Sequence, residues 1–138
     1  MKKIALIATA VIIGLACSNK KNNQSTIELS APEQEMTVAT ISKDITAEEF
    51  KSLLTEKNGL LLDVRTPEEF MAGHIEGAEN IDYYGDGFDE AINQLDKNQP
   101  VFVYCKSGGR SGKTKKILTD KGFAEVYNLI GGYGNWPY

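Results

Sequence analysis

Two short apolar runs constrain the architecture most. Leu60-Leu61-Leu62-Asp63-Val64 and Pro100-Val101-Phe102-Val103-Tyr104 are each five residues long and almost without polar alternation. That length suits a strand better than a helix, and the missing alternation suits a strand covered on both faces. Such strands belong to parallel sheets with helices packed on either side. The segments between them fit this reading. Thr46-Ala47-Glu48-Glu49 is a capping box, followed by the helical stripe Phe50, Leu53 and Leu54 and a stop at Asn58-Gly59. Thr66-Pro67-Glu68-Glu69 is a second box, with proline at the first helical position. Ala78 to Ile81 reads as a weak strand and Phe88 to Leu95 as a helix. Ser111 to Lys121 reads as a helix stopped by Gly122, and Glu125 to Leu129 as a last strand broken by Gly131-Gly132. The expected fold class is α/β, with a mainly parallel sheet and helices on both faces.

The start of the chain stands apart. Met1-Lys2-Lys3 is basic, and Ile4 to Ala16 is apolar without a charge. At 13 residues that run falls short of the about 20 that cross a bilayer. It has the layout of an export signal and resembles a bacterial lipoprotein signal, with Cys17 the residue that would be lipidated. Residues 1–16 are therefore expected to be a signal peptide and 17–37 a lipidated cysteine with a polar tether; 38–138 then form the folded domain. The expected location is the cell envelope, the protein anchored in a membrane and facing the periplasm or the exterior. Removing Lys2 and Lys3 leaves 13 basic residues against 19 acidic ones, a net charge of −6. Nucleic acid is thereby disfavoured as a partner. If Cys17 is acylated, Cys105 has no disulfide partner in the chain, which is notable for an exported thiol.

Cys105 follows one buried strand and precedes a helix, the place where open α/β sheets build ligand sites. The loop continues Lys106-Ser107-Gly108-Gly109-Arg110. Glycines let successive backbone N–H groups point inward as a nest for an anion. The start of the helix at Ser111 adds its positive end, and Arg110 adds a full charge. A thiol at the centre of that ring is expected to ionise below its ordinary pKa, and its thiolate to attack sulfur well. Cys105 and Arg110 are the candidate catalytic residues, and Lys106, Ser107, Gly108, Gly109 and Ser111 the candidate substrate-binding ones. Lys106, Lys113, Lys115 and Lys116 are expected to form a basic patch that draws in small anions. A plain alternative is a buried structural cysteine at a strand end.

Three segments together resemble a single-domain rhodanese, of the sulfurtransferase family. They are Cys105-Lys106-Ser107-Gly108-Gly109-Arg110-Ser111, then Leu62-Asp63-Val64-Arg65 with Glu69-Phe70 and Gly73-His74-Ile75-Glu76-Gly77-Ala78, and Leu129-Ile130-Gly131-Gly132-Tyr133 with Trp136. The resemblance implies a five-stranded sheet and a persulfide on Cys105 held by amides from Lys106 to Arg110. It also implies transfer of that sulfur from a small anionic donor, thiosulfate or a persulfide, to a thiol, a protein acceptor or cyanide. Neither a cofactor nor a metal is called for, and the chain is read as a monomer. Lys106 stands where the family has Arg, and the usual final helix is expected to be shortened or missing.

Asp63 and Arg65 read as a structural brace, with Arg65 expected to pair with Glu69. His74 reads as a turn residue bonded to backbone rather than as a general base. Tyr133 and Trp136 either line the pocket mouth or cover the core. Gly85-Asp86-Gly87 lacks the spacing of a calcium loop and reads as a turn. Two other functions compete. A Cys–Arg-loop phosphatase or arsenate reductase would need a ring one residue longer than the six from Cys105 to Arg110. A non-enzymatic module that carries or senses persulfide is the other.

Overall fold

The computed structural model describes residues 39–138. The expected signal, Cys17 and the whole of the tether lie outside the described residues. The first described element is strand β1, Ile41–Ile45, followed by helix α1, Ala47–Lys57, and strand β2, Leu60–Asp63. Helix α2, Pro67–Met71, strand β3, Glu79–Asn80, and helix α3, Phe88–Asn93, come next. Strand β4, Val101–Tyr104, helix α4, Gly109–Asp120, and strand β5, Glu125–Leu129, complete the sheet. A short 3-10 turn, Gly132–Asn135, follows β5.

The five strands lie in the order β1-β5-β4-β2-β3, and every pairing is parallel. The runs around Leu62 and Val103 become neighbours near the middle of the sheet, as continuous apolar strands must. β1 has no such signature. Three of its five residues are exposed, because it lies at the edge and pairs only with β5.

Alternate residues of β4 feed two core layers. Val101, Val103 and Cys105 pack with Leu118 of α4 and Ile92 of α3 on one face. Phe102 and Tyr104 pack with Phe50 of α1 and with Ile75 on the other. Phe50 is fully buried and meets Phe102 edge-on at 5.3 Å. A buried aromatic of this kind stabilises by about 1.5–3 kcal/mol relative to exposure. Tyr133 and Trp136 close the same face, so they cover the core, and Tyr133 also lines a cavity described below.

The caps differ in detail from the sequence reading. α2 carries the full box: Thr66 Oγ1 accepts from the Glu69 amide at 3.4 Å and the Thr66 amide donates to Glu69 Oε2 at 3.1 Å. In α1, Thr46 accepts from the Glu49 amide at 3.3 Å, but only that half of the box forms. α4 begins at Gly109, two residues earlier than expected, because Gly108 takes the left-handed turn (φ 101°) and the chain is helical immediately after it. Gly85-Asp86-Gly87 forms a plain turn, with the Gly85 amide donating to the Asp82 carbonyl at 3.0 Å.

Candidate active site

The segments after β2, β4 and β5 meet at the carboxyl end of the sheet, because those three strands are adjacent there. At the centre lies Cys105, a free thiol only 1% exposed. Its Sγ accepts hydrogen bonds from the Gly108 amide at 3.1 Å and from Ser111 Oγ at 3.3 Å. Burial alone pushes this thiol up. The Ser111 hydroxyl and the amides of Ser111, Ser107 and Gly108 more than offset that, and the thiol lies below its ordinary value. The nest anticipated from the glycines is therefore built from α4 and the turn before it.

The segment after β5 holds this loop from behind. The Tyr133 amide donates to the Cys105 carbonyl at 2.7 Å, and the Gly134 amide to the Lys106 carbonyl at 3.1 Å. Gly132 makes the approach possible. It sits at φ +62°, and a Cβ there would lie 2.4 Å from the Cys105 carbonyl oxygen.

Four expectations need correcting. Arg110 does not aim its fork at the thiol. It lies in the first turn of α4, and its two terminal nitrogens donate to the Glu69 carboxylate at 2.7 and 3.0 Å. That pair holds the Glu69 carboxyl down to about 2, so both partners are charged at neutral pH. The sequence reads Glu69 as half of a capping box and as a partner for Arg65. It also anchors the Cys105 loop, which only the adjacency of β2 and β4 reveals.

Ser111 is fully buried and donates to the cysteine sulfur, so it acts on the thiol rather than on a bound substrate. Arg65 pairs not with Glu69 but with Asp63, whose carboxylate takes its Nη2 at 2.6 Å and its Nε at 3.0 Å. Both are buried, and Arg65 Nη2 also donates to the Gly73 carbonyl at 2.7 Å. The brace is real, with a different partner. The basic patch is smaller than expected. Lys115 is paired with Asp44 at 2.7 Å and Lys116 with Asp120 at 2.6 Å, because both acids face α4 lysines within reach. Among the described residues this leaves Lys106 and Lys113 of the four without an ion pair.

Lys106, Ser107 and Gly109 are exposed at the loop surface, while Gly108 is half-buried against the sulfur. A cavity of about 270 Å³ opens beside the loop, lined by Arg65, Glu69, Gly73, Lys106 and Tyr133 among others. Lys106 contributes its free charge, a setting that favours a small anion. His74 bonds backbone, as its turn position implied: its Nδ1 faces the Phe70 carbonyl, which can only accept, at 3.0 Å, and its ring stacks on Phe70 at 3.8 Å.

Ser111→Ala removes the hydroxyl donor and is expected to raise the Cys105 pKa. The pH profile of thiol alkylation should shift to higher pH; an unchanged profile would show that the hydroxyl does not hold the thiolate.

Residues 46–137 match the model of the rhodanese-like domain. An uncharacterized Bacillus subtilis protein, YqhL, is 38% identical over 96 residues, covering 70% of this chain and 73% of its own. The Pseudomonas putida protein named thiosulfate sulfurtransferase GlpE is 32% identical over 94 residues, covering 68% and 84%. A rhodanese-like domain protein from Staphylococcus aureus shares the fold at TM-score 0.61 and 35% identity, covering 68% of this chain and 90% of that one. With a parallel five-stranded sheet and a family match across the described fold, this chain belongs to the rhodanese-like family.

Proposed function

We propose that this chain is a sulfurtransferase that carries sulfane sulfur as a persulfide on Cys105. The observation that carries this reading is the thiol itself: buried, free and held below its ordinary pKa by donors that converge on one atom. The Cys105 thiolate attacks the outer sulfur of thiosulfate, the S–S bond of the donor breaks, and sulfite leaves with the electron pair. An acceptor thiolate or cyanide then attacks the terminal sulfur of the persulfide. The Cys105 S–S bond breaks and the thiolate returns to the same donors, so no outside oxidant or reductant is needed. The amides that favour the thiolate also favour the persulfide anion. The thiosulfate sulfurtransferase relative supports this donor class.

The geometry favours sulfur over a phosphate-like oxyanion. The ring from Cys105 to Arg110 is six residues, and both terminal nitrogens of Arg110 are already engaged by Glu69. A fork so occupied is not free to clasp a tetrahedral anion. Intact mass after incubation with thiosulfate tests the proposal. The expected gain is one sulfur, about 32 Da, reversed by cyanide. No adduct with thiosulfate or any persulfide donor would end the sulfurtransferase reading.

The envelope location is part of the same proposal and rests on residues 1–17. Cys17→Ala is expected to release the protein from the membrane fraction. Equal solubility of both forms would contradict the anchor.

A further inference from the structure

We infer that Glu69 sets the specificity of the Cys105 loop: its carboxylate fills the fork of Arg110, so the loop keeps out tetrahedral oxyanions and sheds the sulfite that sulfur transfer releases. The second half of this rests on the sulfurtransferase reading, and the first half does not.

The surroundings of Cys105 hold most of what an oxyanion site needs. The Gly108 amide and the Ser111 hydroxyl converge on the sulfur, and helix α4 begins there. Arg110 lies in the first turn of that helix. Its charged form is favoured by the hydrogen bonds to Glu69, against burial, and also by the Cys105 thiolate, so guanidinium and sulfur lie within each other's field. A free guanidinium at that place, beside the amides of a helix start, would clasp sulfate, phosphate or sulfite through two parallel hydrogen bonds.

Glu69 is already in that clasp. Arg110 Nη1 donates to Oε2 at 2.7 Å and Nη2 to Oε1 at 3.0 Å. The two side chains are 16% and 28% exposed, and the Tyr84 ring lies 5.8 Å from the guanidinium carbon. The carboxylate is also fixed from its own side, since Oε2 accepts from the Thr66 amide at 3.1 Å in the cap of α2. An incoming oxyanion must therefore displace an anion that is part of the chain and leave it charged without its partner. Protonation does not open the fork at any ordinary pH, because Arg110 holds the Glu69 carboxyl down to about 2. Glu69 also lines the cavity beside the loop, where it meets an incoming anion directly.

The leaving group gives this arrangement a use. Attack of the Cys105 thiolate on the outer sulfur of thiosulfate forms the persulfide and releases sulfite, an oxyanion, beside the loop. A free Arg110 would retain that sulfite and make its departure slow. With the fork filled, Lys106 is the free charge of the cavity, and one flexible ammonium holds an anion less firmly than a bidentate guanidinium.

The test is a gain of binding, which a merely structural role would not produce. Cys105 of the full chain is alkylated with neutral iodoacetamide in rising sulfate or phosphate, with ionic strength held constant by chloride. The original protein is expected to show no saturable protection. Glu69→Gln and Glu69→Ala should each be protected, with an apparent affinity for sulfate at least about tenfold above any in the original, the effect of one freed charge-assisted contact. Adding Arg110→Gln to Glu69→Ala should remove the gain. Thr66→Ala, which takes away the other side of the α2 cap, should bring no protection. In thiosulfate turnover, Glu69→Gln should be inhibited by sulfite at about tenfold lower concentration than the original. Glu69 variants that are native by circular dichroism yet gain no protection overturn the proposal. Saturable sulfate protection of the original protein that Arg110→Gln abolishes also overturns it, and that result requires no Glu69 variant to fold. Sulfate protection gained without any Cys105 persulfide would retain Glu69 as the guard of the loop and reject the sulfurtransferase reading. Persulfide formation with no gain of protection would reject the role of Glu69 alone.

Discussion

Cys105→Ala is expected to abolish sulfur transfer while leaving the domain folded. The change removes one atom from a side chain that is 1% exposed. It also leaves the Ser111 hydroxyl and the Gly108 amide without their shared acceptor. Together these cost about 1–3 kcal/mol, less than the whole stability of a domain this size. The catalytic loss is of another order. Without the thiolate no persulfide forms, and turnover of thiosulfate with cyanide should fall by at least about 10³-fold. The two quantities separate cleanly: circular dichroism should report a native sheet, and steady-state assay should report no turnover. Activity retained within about tenfold of the original would mean that another group accepts the sulfur, and Cys105 would revert to a packing residue.

Asp63→Ala is expected to be the most damaging single change to stability. Asp63 is fully buried at the end of β2 and holds the Arg65 backbone amide at 2.9 Å as well as the guanidinium. Arg65 is 4% exposed. Its remaining partners are the Gly73 carbonyl and the faces of Tyr133 and Tyr104, at 4.3 and 5.6 Å. Removing the carboxylate leaves a guanidinium in the interior without its hydrogen-bonded ion-pair partner, at a cost of about 3–5 kcal/mol. For a domain of about 100 residues that lowers Tm by roughly 12–30 °C. The double variant Asp63→Leu with Arg65→Met should be milder, because no unpaired charge remains. Thermal unfolding of the three proteins tests this. A single variant within about 1 kcal/mol of the original would show that water reaches Arg65 and the brace is dispensable.

Legibility in the sequence followed burial and local spacing. The two runs around Leu62 and Val103 announced central parallel strands because a strand covered on both faces must be apolar throughout. β1 was missed for the opposite reason. An edge strand with exposed Ser42, Lys43 and Asp44 needs only its backbone to pair, and its apolar pattern is too sparse to see. The chemistry of Cys105 was visible because its loop is contiguous. Gly108, Ser111 and the sulfur are brought together by one turn and one helix start, which local sequence encodes.

Contacts between separate loops were not legible. Glu69 and Arg110 are 41 residues apart, and each had a sufficient local explanation, one as a helix cap and the other as part of the anion ring. Their union depends on β2 and β4 lying side by side. Likewise Gly132 announced only a break, although its missing side chain is what allows the last turn to seat against the Cys105 carbonyl.

The sequence by itself thus determined the α/β layering, the thiol and the glycine-rich turn around it, since each depends on residues near one another in the chain. Only the tertiary structure decided which charges that thiol meets. Strand order placed Glu69 on Arg110 and Asp44 on Lys115. Charges act over a few ångströms of space whatever their separation along the chain, so their pairing waits on the fold.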